Sequence, residues 1–446
     1  VIPDASGGQP PLVSVYEEVW TVTIARPRGT NDILPGESEQ WQVLEEAIHR
    51  ICQAYGYREI RTPIFEHTEL FERGIGETTD IVSKEMYTFS DRGQRSLTLR
   101  PEGTAPVVRS FLEHKLYGQA LPAKLYYVGP MFRYERPQAG RYRQFYQFGV
   151  EAFGSGDPAL DVEIIAMPIQ VYKELGLETF EVCINTIGCP DCRPAYREAL
   201  RSHLADSKSQ LCRSCQTKYD RSPMRILDCK EATCQELTKD APLILDYLCS
   251  GCRDHFAEVK RYLELLEVDF VHDPRLVRGF DYYTKTVFEI KVESLGAQDA
   301  VGGGGRYDRL VEEMGGPPTA GVGYGVGMER VLLALQQQAG DALKPSGMDG
   351  FLAQFGGATK EQAVVLAHRL RALGLKVDLD YLDRSLKAQM KAANRSGARW
   401  VMIIGQEELE NNQARIRWMY DGTEEAVDFD TAAQYLAAKG KEPITQ

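Results

Sequence analysis

Apolar residues recur at helical spacing near the start of the chain, at Trp41, Leu44, Ile48 and Ile51, and predict a helix over 39–54. Gly56 follows as a stop, and Glu59-Ile-Arg-Thr-Pro63 reads as a short strand closed by proline. Further strands are expected at Leu97–Arg100, Lys124–Val128, Phe145–Phe153, Phe180–Ile184 and Thr286–Lys291. Several are joined by short turns, which favours an antiparallel sheet over alternating βαβ units.

Residues 188–257, rich in Cys, Lys, Arg and Asp, interrupt this pattern and read as an inserted, mostly helical subdomain. The strand-rich body is therefore expected over 26–187 and 258–340. A Pro/Gly/Ser linker, Asp341-Ala-Leu-Lys-Pro-Ser-Gly-Met348, follows it. Beyond the linker, Thr359-Lys-Glu-Gln362 reads as a capping box, with Leu366, Leu370 and Leu373 continuing an apolar face. Strands at Lys376–Asp380 and Trp400–Ile404 flank a helix over 382–395, so 349–446 is expected to be a compact α/β domain.

The 446 residues carry 52 Lys and Arg against 64 Asp and Glu, a net charge of −12. That excess of acid excludes a chain coating nucleic acid over its whole surface, but local basic faces remain open. No uncharged apolar run approaches the ~18–20 residues needed to span a bilayer. No basic start followed by an apolar stretch suggests a secretory signal, so a cytoplasmic protein is expected. Residues 1–25, beginning at Val1, read as an extension.

Four clusters carry candidate chemistry. In Leu99-Arg-Pro-Glu-Gly-Thr-Ala105, a tight loop exposes Glu102 and Thr104; the pair suits an ammonium group, or forms a plain turn. A second stretch, 127–151, is a hairpin bearing Arg133, Arg136, Gln138, Arg141 and Arg143. Its second strand puts Phe145, Gln147, Gly149 and Glu151 on one face. Guanidinium forks match phosphate geometry and aromatic faces stack on bases; the alternative is a solvated hairpin. The third is Leu276-Val-Arg-Gly-Phe-Asp-Tyr-Tyr-Thr284 with Gly302-Gly-Gly-Gly-Arg-Tyr-Asp308; its four glycines allow close backbone approach to a ligand, or a flexible turn. Without a following Lys-Ser or Lys-Thr they are not a P-loop. In the fourth, Gly321-Val-Gly-Tyr-Gly-Val-Gly-Met-Glu-Arg330, a glycine-alternating strand offers a flat slot for a planar ring, with Arg330 at its edge to meet a phosphate. A dinucleotide-binding βαβ context is missing.

Together these clusters resemble the class II aminoacyl-tRNA synthetases, and within them the histidyl-tRNA synthetase family. The helix and strand ending at Pro63 resemble motif 1, Phe132-Arg-Tyr-Glu135 motif 2, and Gly325-Val-Gly-Met-Glu-Arg330 motif 3. Leu276–Tyr283 and Gly303–Asp308 resemble the two signatures particular to the histidine enzymes. The resemblance implies an α+β fold: an antiparallel sheet flanked by helices, with a helical insertion and a C-terminal α/β anticodon-binding domain. It also implies activation of histidine by ATP with Mg²⁺, transfer to tRNA(His), and a homodimer formed through motif 1.

Residue by residue, the resemblance implies that Arg133 holds the α-phosphate, Arg330 the γ-phosphate, and Arg278 the histidine carboxylate with the α-phosphate. Glu135, Arg141 and Phe145 complete the ATP site. Glu102, Thr104 and Gln147 fall to the α-ammonium, Glu151 and Tyr283 to the imidazole nitrogens, and Tyr282 lines the pocket; Gly103 and Arg133 also belong to the histidine site. Arg136 and Gln138 are expected at the tRNA acceptor end. Arg384, Lys387, Lys391, Arg395 and Arg399, set against Asp383, form the anticodon face or a solvated helix face.

Nine of ten cysteines fall between Cys183 and Cys252, with Cys52 apart. Cys189-x2-Cys192, Cys212-x2-Cys215 and Cys249-x2-Cys252 have zinc-ligand spacing, with Cys229 and Cys234 between them. The resemblance does not vouch for zinc, so no metal ligand is assigned, and loss of such a metal would be expected to affect the insertion rather than adenylate chemistry. Two rival readings explain less. A catalytically silent synthetase-like regulatory subunit of histidine biosynthesis need not keep Arg133, Arg278, Arg330 or the α/β tail. A zinc-ribbon nucleic-acid-binding protein leaves the two histidine signatures unexplained.

Overall fold

A computed structural model describes residues 24–76, 79–338 and 347–439. The expected extension up to residue 23 and the linker over 341–346 lie outside the described residues. The chain divides into two compact units, at 343/344.

In the first unit eight strands form one sheet, in the order Arg58–Glu59, Ala123–Phe132, Gln144–Phe153, Gly321–Gly327, Ala300–Arg306, Thr284–Lys291, Glu181–Thr186 and Val271–His272. The six inner strands are antiparallel to one another, and the two short outermost strands pair in parallel. A separate three-stranded sheet joins Phe65–His67, Ser96–Leu99 and Tyr87–Ser90.

The two faces of the large sheet differ because side chains alternate along each strand. One face presents Phe148, Val150, Val322, Tyr324, Val326, Phe288 and Ile290. These pack with the apolar stripes of helices Ser38–Ala54, Pro158–Glu174, Ser250–Leu265 and Met328–Gln338 in the main core. Each such side chain contributes about 1.5–3 kcal/mol on burial. Trp41, Leu44, Ile48 and Ile51 all lie in that core, and Gly56 follows the helix end with φ +79°.

The other face is a floor of glycine. Register sets Glu289, Gly303, Gly325, Gly149 and Tyr127 in one row across five strands. The row two residues along is Val287, Gly305, Gly323, Glu151 and Leu125. The glycine run 302–305 is thus an inner strand and not a loose turn. A Cβ on Gly304 would stand 2.0 Å from the Gly323 carbonyl oxygen, so nothing larger fits there.

Three expected elements are shorter, among them the strand expected over Lys376–Asp380, which spans Val377–Leu379. The strand ending at Pro63 is reduced to Arg58–Glu59, because the Thr62 carbonyl turns aside to accept a hydrogen bond from Arg100 Nη1 at 3.0 Å. The helix expected over 382–395 spans Leu386–Arg395, since the buried Asp380 carboxylate captures the Arg384 backbone N–H at 2.8 Å and holds the preceding turn.

The insertion is mostly helical, with helices Arg193–Leu204, Arg213–Arg221, Ala232–Leu237 and Ser250–Leu265. The last runs through residue 257. His255 on it meets Asp161 at 3.1 Å, and Asp161 also holds the fully buried Arg306. Against the cost of burial, these two partners keep the Asp161 carboxyl below its ordinary range.

The second unit has five strands in the order Val377–Leu379, Gly350–Gln354, Trp400–Ile404, Gln413–Trp418 and Glu424–Asp428. The first three are mutually parallel and the rest antiparallel. Helices Gly357–Ala372 and Phe429–Lys439 pack into one core, and Leu386–Arg395 into another. The Gly357 helix starts two residues before the expected capping box, and Thr359 Oγ1 instead bridges the turn, accepting from Phe355 N and donating to the Gly356 carbonyl.

Candidate active site

An open cleft lies over the glycine face. Arg133, Glu135, Arg141, Phe145, Gln147, Arg278 and Arg330 all line it, together with Glu289 and glycines 302, 303, 325 and 327. Hairpin, glycine strands and the 276–283 loop, separate in sequence, meet here because their strands are adjacent in the sheet.

Each guanidinium is braced. Arg133 Nε donates to the Pro101 carbonyl at 2.8 Å, and its guanidinium lies 5.2 Å from the Phe145 ring centroid. Arg330 donates from Nε to Gly140 O at 2.9 Å and from Nη1 to Ala300 O at 2.7 Å. Arg278 Nη1 pairs with Glu289 at 2.8 Å, while its buried Nε has no hydrogen-bond partner. A Cβ on Gly303 would come within 2.9 Å of Arg278 Nη1, so the glycine makes room for the guanidinium. Burial first, then the nearby Arg141, pushes the Arg330 pKa down, with Arg133 adding to the effect. Arginine stays charged regardless. The cleft therefore concentrates positive charge that an anion would relieve.

Along the same face of Gln144–Phe153, the side chains run from Phe145 and Gln147 in the cleft to Glu151 in a closed polar cluster. Thr104 Oγ1 donates to Glu151 at 2.7 Å, and the Tyr307 hydroxyl donates to the other carboxylate oxygen. Burial pushes the Glu151 pKa up to about 8 in spite of these two donors. Tyr282 and Tyr283 are buried beside Tyr307, with ring centroids 5.6 and 6.5 Å from it. Glu102 is also buried; it accepts the backbone N–H of Thr104 at 2.6 Å and of Ala105 at 2.9 Å, at the start of helix Thr104–Glu113. Burial raises its pKa, tempered by those N–H groups. Gly103 and Gly149 both press close to the Tyr127 ring, where a Cβ on either would lie 2.2 or 2.3 Å from Cζ.

Three groups escaped the sequence reading. Tyr307 anchors Glu151, Glu289 holds Arg278, and Asp161 with His255 and Arg306 braces the sheet from behind. Tyr307 and Arg306 lie within the 302–308 signature; the Glu289 partnership depends on strand register, and those of Asp161 on the packing of helices Pro158–Glu174 and Ser250–Leu265 against the sheet. Arg136 and Gln138 are exposed on the hairpin loop, where Gln138 and Arg141 exchange backbone hydrogen bonds of 3.1 and 2.9 Å. In the second unit Lys387, Lys391 and Arg395 form an exposed row at four-residue spacing on one helix. Arg384 stands apart from that row, its Nε bound to Asp380 at 2.5 Å, and Asp383 pairs with Lys360 at 2.9 Å. Arg399 is half-buried beyond the helix.

Six strands each antiparallel to its neighbours, an arginine-bearing hairpin and a glycine floor are the make-up of a class II aminoacyl-tRNA synthetase catalytic unit. The family profile described as histidyl-tRNA synthetase matches residues 29–331, and an anticodon binding domain matches 351–439. A histidine–tRNA ligase of Pelotomaculum thermopropionicum is 56% identical over 414 residues, covering 93% of this chain and 97% of that protein. One from Moorella thermoacetica is 54% identical over 411 residues, covering 92% and 97%. The crystal structure of apo histidyl-tRNA synthetase from S. aureus superposes with a TM-score of 0.79 at 41% identity, covering 93% of this chain and all of that one. The chain belongs to the histidyl-tRNA synthetase family.

Proposed function

We propose that this chain joins L-histidine to tRNA(His) in two steps. The carboxylate of histidine attacks the α-phosphorus of ATP, which arrives as its Mg²⁺ complex, and pyrophosphate leaves. The histidyl-adenylate then passes its acyl group to a hydroxyl of the 3′-terminal ribose of the tRNA, and AMP leaves. The observation that carries this reading is the meeting of Arg133, Arg278 and Arg330 in one glycine-floored cleft.

Arg133 takes the α-phosphate, Arg330 the γ-phosphate, and Arg278 both the attacking carboxylate and the α-phosphate. Negative charge grows on the phosphoryl oxygens as the nucleophile closes in, so fixed guanidiniums stabilise the transition state more than the ground state. The nucleophile is already ionised, so no general base is needed. The unpartnered Nε of Arg278 supports a role toward a ligand oxygen, because a buried donor left unpaired is costly. Phe145 and Arg141 flank the nucleotide, and Glu135, between Arg133 and Arg141, orients both cations.

Histidine lies deeper. Glu102, Gly103, Thr104 and Gln147 receive its ammonium end, while Glu151 and Tyr283 take the ring nitrogens and Tyr282 closes the wall. A ring that both donates and accepts needs a partner at each edge. Such a site rejects analogues lacking those groups by as much as ~10⁴–10⁵, without an editing domain.

Arg136 and Gln138 meet the acceptor end of the tRNA. In the second unit the row Lys387, Lys391 and Arg395, with Arg384 and Arg399 nearby in sequence, contacts the anticodon stem-loop through phosphates. A homodimer completes the reading: Ile64, Phe65 and Phe89 stay exposed just beyond the motif-1-like segment, an apolar patch suited to a second subunit. Sedimentation would give a dimer mass; a monomer at all concentrations would remove that part. Among the described residues no helix is long and apolar enough to cross a membrane, and we place the activity in the cytoplasm.

Exchange of labelled pyrophosphate into ATP tests the reaction itself. Exchange should require histidine and ignore the other amino acids; exchange without histidine, or with a different amino acid, would refute the assignment.

A further inference from the structure

Eight cysteines of the insertion gather into two groups of four: Cys189, Cys192, Cys249 and Cys252 at its neck, and Cys212, Cys215, Cys229 and Cys234 at its tip. We infer that each group binds one Zn²⁺ ion, giving two structural metal sites per chain, a chemistry that the synthetase reaction does not require.

The sulfur geometry is that of a tetrahedral thiolate shell. Within each group all four Sγ atoms lie within 4.8 Å of one another. Cys189 Sγ is 3.5 Å from Cys192 and 4.0 Å from Cys249, and Cys212 Sγ is 3.9 Å from Cys229. A tetrahedron with Zn–S bonds of about 2.3 Å has S···S edges of about 3.8 Å. These separations are far longer than the ~2.05 Å of a disulfide, and every cysteine is free. A single ion fits this spacing, whereas an iron–sulfur cluster interposes its own iron and sulfide atoms and spreads the cysteines wider. Each group also receives a backbone N–H on sulfur, Cys249 N to Cys192 Sγ and Cys212 N to Cys234 Sγ, both at 3.2 Å. Donors aimed at ligating sulfur are the outer-shell partners a thiolate site uses. Each group mixes buried and partly exposed sulfurs, so an ion can reach it from solvent.

The surrounding packing gives the reason for a metal. At the tip, the buried core is only Leu204, Leu211, Tyr219 and Ile226 with Cys215 and Cys234 themselves. So small a core rarely holds a fold without a staple. At the neck, the metal ties the two ends of the insertion together across residues 192 and 249. Arg193, next to Cys192, donates to the Tyr283 and Ile187 carbonyls, so the neck site also fixes where the insertion meets the sheet.

Elemental analysis of the full chain, purified without chelator, tests the inference independently of aminoacylation. Two zinc ions per chain are expected, falling to one in the Cys212→Ser/Cys229→Ser variant and to one in Cys189→Ser/Cys249→Ser. Should either variant fail to fold, cobalt exchanged into the unaltered protein gives a second reading: intense thiolate-to-cobalt absorption and tetrahedral d–d bands, saturating at two equivalents. Metal-free protein whose eight thiols react at once, intact masses showing disulfides, or stoichiometric iron in place of zinc would each overturn the proposal. One zinc per chain would overturn it for whichever group's variant leaves the content unchanged.

Discussion

Replacing Glu151 with Gln keeps the shape of the side chain and removes its titration. In the folded protein burial holds this carboxyl protonated up to about 8, against an ordinary value of 4.5. Between those limits the folded state keeps a proton that the unfolded chain has released. The resulting stability is fully present below about pH 4.5 and is lost as pH rises toward 8. At about 1.4 kcal/mol per pH unit, the loss between pH 5 and pH 8 reaches up to ~4 kcal/mol. Glu151→Gln should therefore lose less stability than the parent across that range, the gap between the two growing with pH. Urea denaturation at half-unit pH steps, followed by a probe in the catalytic unit, measures this. Parallel curves for parent and variant would refute the burial argument. The same variant tests recognition: losing the hydrogen bond between this neutral carboxyl and the imidazole, worth about 0.5–1.5 kcal/mol, should raise the histidine KM roughly 2- to 13-fold. The KM for ATP should change little, since the nucleotide cleft is lined by other residues. An unchanged histidine KM would dismiss Glu151 from the ring site.

Asp161→Asn should strip the buried Arg306 and His255 of their anion and lower stability by about 3–5 kcal/mol; a melting temperature equal to the parent's would contradict this. Gly304→Ala forces a methyl against the Gly323 carbonyl and should cost about 1–3 kcal/mol or more. Gly156→Ala, with open space around it, should be close to neutral, and equal effects of the two would undo the packing argument. Replacing Lys387, Lys391 and Arg395 by Ala should weaken tRNA binding and flatten its salt dependence by up to ~0.7–0.9 in log–log slope per lost phosphate contact; an identical slope would clear that helix of any role.

Much of the fold is legible where a pattern is local and long. The helix carrying Trp41, Leu44, Ile48 and Ile51, the hairpin of 127–151 and the α/β tail all follow from periodicity and turns. The glycine run at 302–305 is different. Glycine is a poor strand former in isolation, and only the neighbouring strands, too close for any Cβ, make it a strand. The site divides in the same way. Arg133, Arg278 and Arg330 stand in recognisable motifs. Their braces are another matter: Glu289 follows from register, and Asp161 reaches Arg306 and His255 across 145 and 94 residues, which no spacing rule detects. The pairing of Arg384 in the second unit is hidden for a related reason. Arg384 counts as a free charge in the sequence, but the chain folds it back onto Asp380. The capping box at Thr359 likewise looked complete, yet Gly357 adopts φ +54° and starts the helix earlier.

Pyrophosphate exchange by Arg278→Ala bears most directly on the claim that the cleft's arginines act together on one activated phosphate. With the melting temperature of the catalytic unit preserved, exchange should fall at least ~10²–10³-fold, the scale seen when a fixed donor to a developing oxyanion is removed. Near-normal exchange in a folded Arg278→Ala protein would contradict the account.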